Sequence, residues 1–235
     1  MELLQLLEIH FKDLLNPEFY IDNGGLWVFL FIVFAETGLL AGFFLPGDSL
    51  LFVGGIYSTK LITKGLGYDG GSDFVNLALL TAMVSFAGII GNTLGYWVGR
   101  KSGPTLYSRK DSFFYKKKYL YKAKEFYDKN GAGAIVVARF LPIIRTFAPV
   151  IAGIVGMDKK KFAFYNILGS ILWATSMLFA GHYLYQFFLK RYGYDLTEHL
   201  EWIILGIVVV TTAPVLIKLF SKKKVVHPKE NETPL

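Results

Sequence analysis

Residues Phe74–Gly99 form a run of 26 without one Asp, Glu, Lys or Arg. As a helix rising 1.5 Å per residue, such a run covers the roughly 30 Å of hydrocarbon in a bilayer. Lipid offers the backbone no hydrogen-bond partner, so a helix is the form a lone apolar segment must take there. The rest of the chain agrees. Of its 235 residues, 53% are hydrophobic and 18% charged, against about 25% charged in a soluble domain. The expected class is an all-α integral membrane protein. Cysteine is absent, which removes disulfide scaffolds, thiol catalysis and thiolate metal sites.

Other apolar stretches flank this span. Gly24–Leu45 is apolar except for Glu36 and runs through Pro46-Gly47-Asp48 into a second stretch, Ser49–Ile62, of 14 residues. Gly131–Met157 is apolar but carries Arg139, Pro142, Arg145 and Pro149. Phe162–Leu189 and Trp202–Phe220 read as further spans. Residues 1–23 place leucines at helical spacing among charges, a pattern expected of an amphipathic interfacial helix rather than a cleavable signal peptide. Residues 24–220 then make up the membrane domain, and 221–235 a basic cytoplasmic tail.

Charge sets the expected topology. Residues 100–130 hold ten Lys/Arg and three Asp/Glu, and Lys159–Lys161 and Lys222–Lys224 are two further basic clusters. All three are expected on the cytoplasmic side, so the basic balance needs no nucleic-acid partner. Gly131–Met157 lies between the first two clusters, so both its ends want the same side. A single span would strand one cluster outside and put two arginines in lipid, at about 2.5–3.5 kcal/mol each. A re-entrant hairpin broken at Pro142, with Pro149 as a second break, avoids both. By the same logic Gly24–Ile62 is a hairpin broken at Pro46-Gly47, entering from the acidic side. Each half of the chain then reads as a hairpin followed by a transmembrane helix, in opposite orientations. The echo of Phe44-Leu45-Pro46 in Phe140-Leu141-Pro142 fits an inverted repeat.

Four ionisable residues lie inside these segments: Glu36, Asp48, Arg139 and Arg145. Charge at that depth is a functional-site hypothesis by default. Arg offers a planar fork suited to phosphate and keeps its charge when desolvated. A carboxylate in an apolar site suits proton exchange. The alternative is a set of structural salt bridges closing the hairpins. Gly88, Gly91, Gly95 and Gly99 read as a seam for close helix packing, and His182 as hydrogen-bonded packing rather than a metal ligand. Trp27, Tyr96, Trp97, Tyr183, Tyr185 and Trp202 read as interface anchors. No zinc-protease, P-loop or Ser/His/Asp pattern can be assembled, so neither a metal nor a cofactor is expected, nor an enzyme.

The run Arg139-Phe140-Leu141-Pro142-Ile143-Ile144-Arg145 is followed by Pro149, Ala152-Gly153, Met157, Phe162, Asn166, Gly169 and Trp173. Together with Glu36, Pro46-Gly47-Asp48 and Gly91 through Tyr96, Gly99, Arg100 and Gly103, it resembles the DedA family of VTT-domain membrane proteins over about residues 25–190. The resemblance implies paired re-entrant hairpins in an inverted repeat. It also implies a bacterial plasma (inner) membrane location, multi-pass with a cytoplasmic C-terminus, and proton-dependent return of undecaprenyl phosphate for envelope carrier recycling. On that reading Arg139 and Arg145 bind the lipid phosphate, Glu36 and Asp48 exchange protons, and the partners are the lipid phosphate, protons and membrane lipids. Asn92 stands where many members carry an acid, and Ile143 where many carry a small residue. The alternatives are a proton-coupled exporter of cationic compounds, a membrane phosphatase, and a non-transporting membrane-homeostasis scaffold.

Overall fold

The computed structural model describes residues 17–38, 47–68, 71–108, 117–193 and 206. Among them the chain is helical, without strands: α1 Pro17–Gly38, α2 Gly47–Ile56, α3 Ser58–Leu66, α4 Asp73–Ser108, α5 Lys117–Asn130, α6 Ala134–Ala138, α7 Pro142–Ile154 and α8 Lys159–Tyr192. Residues 1–16 of the expected interfacial helix 1–23, the span Trp202–Phe220 apart from Gly206, and the tail 221–235 lie outside the described residues, as does Pro46. Residues 17–24 are helical and separated from the remainder of α1 by a break at Gly25, whose φ of 59° is open to glycine.

Only α4 and α8 are long and apolar enough, among the described residues, to cross a membrane. They contain 36 and 34 residues and enclose the two uncharged runs read from sequence, with polar turns added at the ends. The ends are chemically marked. Asp73 sits in the first turn of α4, where a carboxylate suits the helix dipole. The Asp158 carboxylate caps α8 by accepting from the Lys161 backbone N–H at 3.0 Å. That bond holds its carboxyl below the usual range. Gly193 closes the same helix at φ 62°.

Gly131–Met157 is not one helix. Five-residue α6 ends in a turn in which the Phe140 and Leu141 N–H groups donate to Val137 and Ala138 carbonyls at 3.1 Å. Leu141 is extended, at φ −113° and ψ 103°, as the residue before a proline tends to be. Pro142 then opens α7, whose 13 residues reach only about 20 Å. Ser49–Ile62 is divided too, between α2 and α3 at Tyr57.

Glycines decide how these pieces pack. On α4 the seam first receives α1, where a Cβ on Gly38 would lie 2.8 Å from the Gly91 carbonyl oxygen. It then receives α7. A Cβ on Gly99 would strike the Val150 carbonyl, and one on Gly153 the Tyr96 carbonyl. The same arrangement recurs between α2 and α8, where Gly55 lies against Leu178 and Gly181 against Phe52. Each clasp uses residues three apart on both helices: 150 and 153 with 96 and 99, then 52 and 55 with 178 and 181. The helix α2 of the first half thus clasps the long helix of the second, and α7 of the second half clasps the long helix of the first.

Two apolar clusters result. Leu26, Phe29, Leu50, Leu80, Trp173 and Leu178 belong to one; Tyr96, Ile135, Ala152 and Phe162 form the other. On α4 the first ends at Val84 and the second begins at Tyr96. The stretch between holds Gly88 and Asn92, close to the centre of the uncharged run. One expectation needs correcting. Trp27, Trp97 and Tyr183 are exposed, as anchors would be, but Tyr96 is 5% exposed. It stacks on Phe162 with ring centroids 4.2 Å apart, because its hydroxyl finds the Met157 carbonyl, 2.5 Å away, inside the protein.

Candidate functional site

Arg145 lies one turn into α7, Asp48 in the first turn of α2, and Glu36 two residues before the end of α1. The Arg145 guanidinium forms salt bridges with both Glu36 and Asp48, partners 109 and 97 residues away in sequence. Arg145 is 8% and Glu36 1% exposed. Two carboxylates and one cation therefore share a dry centre, held by three separate helices. Gly47 opens α2 directly against this centre, since a Cβ there would overlap the Glu36 carboxylate. Among the described residues, Glu36 Oε2 and Arg145 Nε are buried with no hydrogen-bond partner, so the triad is not saturated.

Arg139, just past α6, goes elsewhere. It is 4% exposed and pairs with no carboxylate among the described residues. Its guanidinium donates to Asn166 Oδ1 at 3.0 Å and to the Gly88 carbonyl at 3.5 Å. A guanidinium has no acceptor, so the Asn92 carboxamide turns its oxygen to Arg139. Its nitrogen then donates to the Thr37 carbonyl at 3.0 Å. Among the described residues, this buried cation is thus solvated by neutral oxygens alone. Of the two arginines, Arg145 takes both acids.

Trp173 joins the two groups. Its ring lies under both guanidinium carbons, 5.6 Å from Arg139 and 5.3 Å from Arg145. Its Nε1–H donates to Asp48 Oδ1 at 2.9 Å. The arginines therefore sit within about 11 Å of each other against one indole ring, a cation–π arrangement that strengthens away from water. Trp173, Asn166, Asn92 and Gly88 are the parts of this centre that charge-based reading passed over. An indole and two carboxamides inside apolar runs were the available signal, because each must find a partner once buried.

Of the expected break residues, Pro142 opens α7 and Gly47 opens α2. Pro149 lies inside α7, which runs on to Ile154. Lacking an N–H, it leaves the Arg145 carbonyl without its usual helical donor. His182 shares a hydrogen bond with Gln186 at 2.9 Å, and no metal-ligand cluster occurs among the described residues.

Residues 45–183 match the VTT domain. Protein DedA of Escherichia coli is 34% identical over 221 residues, covering 93% of this chain and 91% of that protein. The chain belongs to the DedA family. An uncharacterized membrane protein of Mycobacterium leprae is 37% identical over 209 residues, 86% of each chain. The inner membrane protein YqjA of Escherichia coli is 35% identical over 191 residues, 78% of this chain and 80% of that one. No solved structure matches. With its two long apolar helices, the chain is a membrane protein of the DedA family; Asp48, Arg139 and Arg145 fall within the matched residues and Glu36 just before them.

Proposed function

We propose that this DedA-family protein is a proton-dependent flippase of a lipid phosphate, with undecaprenyl phosphate the expected substrate. It would return that carrier across a bacterial inner membrane. The observation that carries the reading is Arg139: a buried guanidinium that, among the described residues, faces only neutral oxygens, beside a second guanidinium already neutralised by two acids. An anion arriving there gains a charge-assisted partner without displacing a carboxylate. Glu36 and Asp48 would exchange protons, and Glu36 Oε2, without a hydrogen-bond partner among the described residues, is the atom to receive one. Protonating either acid loosens its hold on Arg145 and frees that cation for the phosphate. The cationic-exporter reading is weaker, because both acids already hold an arginine.

The transport reading includes two re-entrant hairpins in an inverted repeat, α1–α2 and α6–α7, entering from opposite faces. The matched glycine clasps and the shortness of α2 and α7 favour it. Cysteine at position 72 should then label from outside sealed cells, and cysteine at 102 and 160 should both be protected. Labelling of 160 but not 102 would make Gly131–Met157 a crossing segment and end the hairpin reading.

The functional test is reconstitution into vesicles with labelled undecaprenyl phosphate, with and without a pH gradient. The parent should flip the lipid faster under the gradient. Arg139→Lys and Arg145→Lys should lose flipping, since an ammonium cannot present a planar fork. Glu36→Gln and Asp48→Asn should lose the pH response. A parent rate equal to that of protein-free vesicles would refute the proposal.

A further inference from the structure

A second group of cations lies apart from the central triad, in a cleft of about 510 Å³ between α4 and α8. Arg100 and Lys101 line it from α4 and Lys159 from α8, while Trp97, Phe162 and Ala163 supply an apolar wall. It opens where the uncharged run ends, at Gly99, which is the depth at which a membrane passes from hydrocarbon to phosphate.

Arg100 is fixed before any ligand arrives. Its Nη1 donates to the Tyr96 hydroxyl at 2.7 Å and to the Met157 carbonyl at 3.1 Å. The Lys101 ammonium stands 5.3 Å from the centre of the Trp97 ring. None of the three cations pairs with a carboxylate among the described residues. The neighbouring Asp158 is engaged as the cap of α8. Three like charges thus face one half-apolar cleft, and an anion with a hydrocarbon tail satisfies both halves of it.

We propose that this cleft binds the phosphate of an anionic membrane lipid, with Arg100, Lys101 and Lys159 around the headgroup and an acyl chain along Trp97, Phe162 and Ala163. Basic pockets between membrane helices commonly hold lipid headgroups. A free phosphate fits less well, because it leaves the apolar wall bare and Trp97, 58% exposed, uncovered. The cleft also touches the central site. Thr93 lines it and accepts from Asn166 Nδ2 at 3.3 Å, and Asn166 in turn accepts from Arg139. The wall of the cleft at Thr93 is thus two hydrogen bonds from Arg139. The binding proposal holds whether or not the central site moves a lipid.

The test uses the full chain extracted from vesicles of equimolar phosphatidylglycerol and phosphatidylcholine, with retained lipid counted by native mass spectrometry. Parent, Lys101→Gln with Lys159→Gln, the single charge reversal Lys159→Glu, and Arg139→Gln are compared, each checked for folding by its melting temperature. Lys101 and Lys159 are exposed, so their variants leave the core untouched. A lysine at a membrane surface contributes roughly a factor of five. The double variant should therefore retain about 25-fold less phosphatidylglycerol, Lys159→Glu should also lose it, and Arg139→Gln should keep it. Unchanged retention in both lysine variants overturns the proposal, and so does loss only in Arg139→Gln. Binding of inorganic phosphate as tight as that of the lipid overturns the lipid assignment.

Discussion

Arg145→Gln removes the one cation among the described residues that serves the buried Glu36 and the partly buried Asp48. The side chains of Arg145, Glu36 and Asp48 are 8%, 2% and 13% exposed, so water cannot replace the lost partner. Breaking a buried ion pair from one side costs about 3–5 kcal/mol, because a charge is left uncompensated. In a chain of this size 1 kcal/mol moves the melting temperature by about 2–4 °C, so the expected fall is roughly 6–20 °C. Glu36→Gln does less harm. Asp48 still neutralises Arg145, and the new amide oxygen still accepts, so the cost is about 1.5–3 kcal/mol, the range for a hydrogen bond to a charged group. The telling variant combines the two. Arg145→Gln alone strands two carboxylates, whereas Arg145→Gln with Glu36→Gln strands one. The double variant should therefore melt higher than Arg145→Gln, although it carries one more substitution. Thermal scans of purified protein in one detergent at pH 7.5 measure this directly. If the double variant melts lower, as independent effects would require, the shared-triad reasoning is wrong.

Gly99→Ala should lower the melting temperature by several degrees, because its Cβ would meet the Val150 backbone of α7 and overpacking costs about 1–3 kcal/mol. Gly88→Ala, whose Cβ would stand 3.6 Å from Arg139 Nη1, should be neutral or stabilising in the same scan. Trp173→Phe keeps an aromatic face but drops the bond to Asp48, so it should lower stability by about 1.5–3 kcal/mol, as for a hydrogen bond to a charged acceptor, and weaken lipid-phosphate binding in a direct binding titration. The Tyr127 hydroxyl donates to the Ala148 carbonyl at 3.1 Å, and burial pushes its phenol up from 10.0 to about 12. Between those pH values the unfolded chain has lost the proton that the folded one keeps. Denaturation midpoints should fall as pH rises through that window, and Tyr127→Phe should flatten the fall.

The lipid-crossing nature of the chain, its two long helices and the break at Pro142 were legible in the residues, because each rests on local chemistry. A 26-residue run without charge and a proline's missing N–H act on their own segments whatever surrounds them. The four buried charges were legible for the same reason: their cost is set by the apolar residues beside them.

Which charge meets which was not legible. Arg139 and Arg145 stand six residues apart in similar surroundings, yet one holds two acids and the other holds amides. The difference arises because α7 begins at Pro142 and carries Arg145 toward the start of α2, while Arg139 stays with α6 against Gly88 and Asn166. Tyr96 reads as an anchor until the Met157 carbonyl supplies a partner from 61 residues away. The glycine seam announced close packing without naming the partner, and the crossed clasps joined each short helix to the long helix of the other half. The chain alone determined which two helices are long and apolar enough to cross a membrane, because length and hydropathy belong to each segment by itself. Only the tertiary structure decided the pairings inside it, because a buried guanidinium takes whichever oxygens the packed helices bring within about 3 Å.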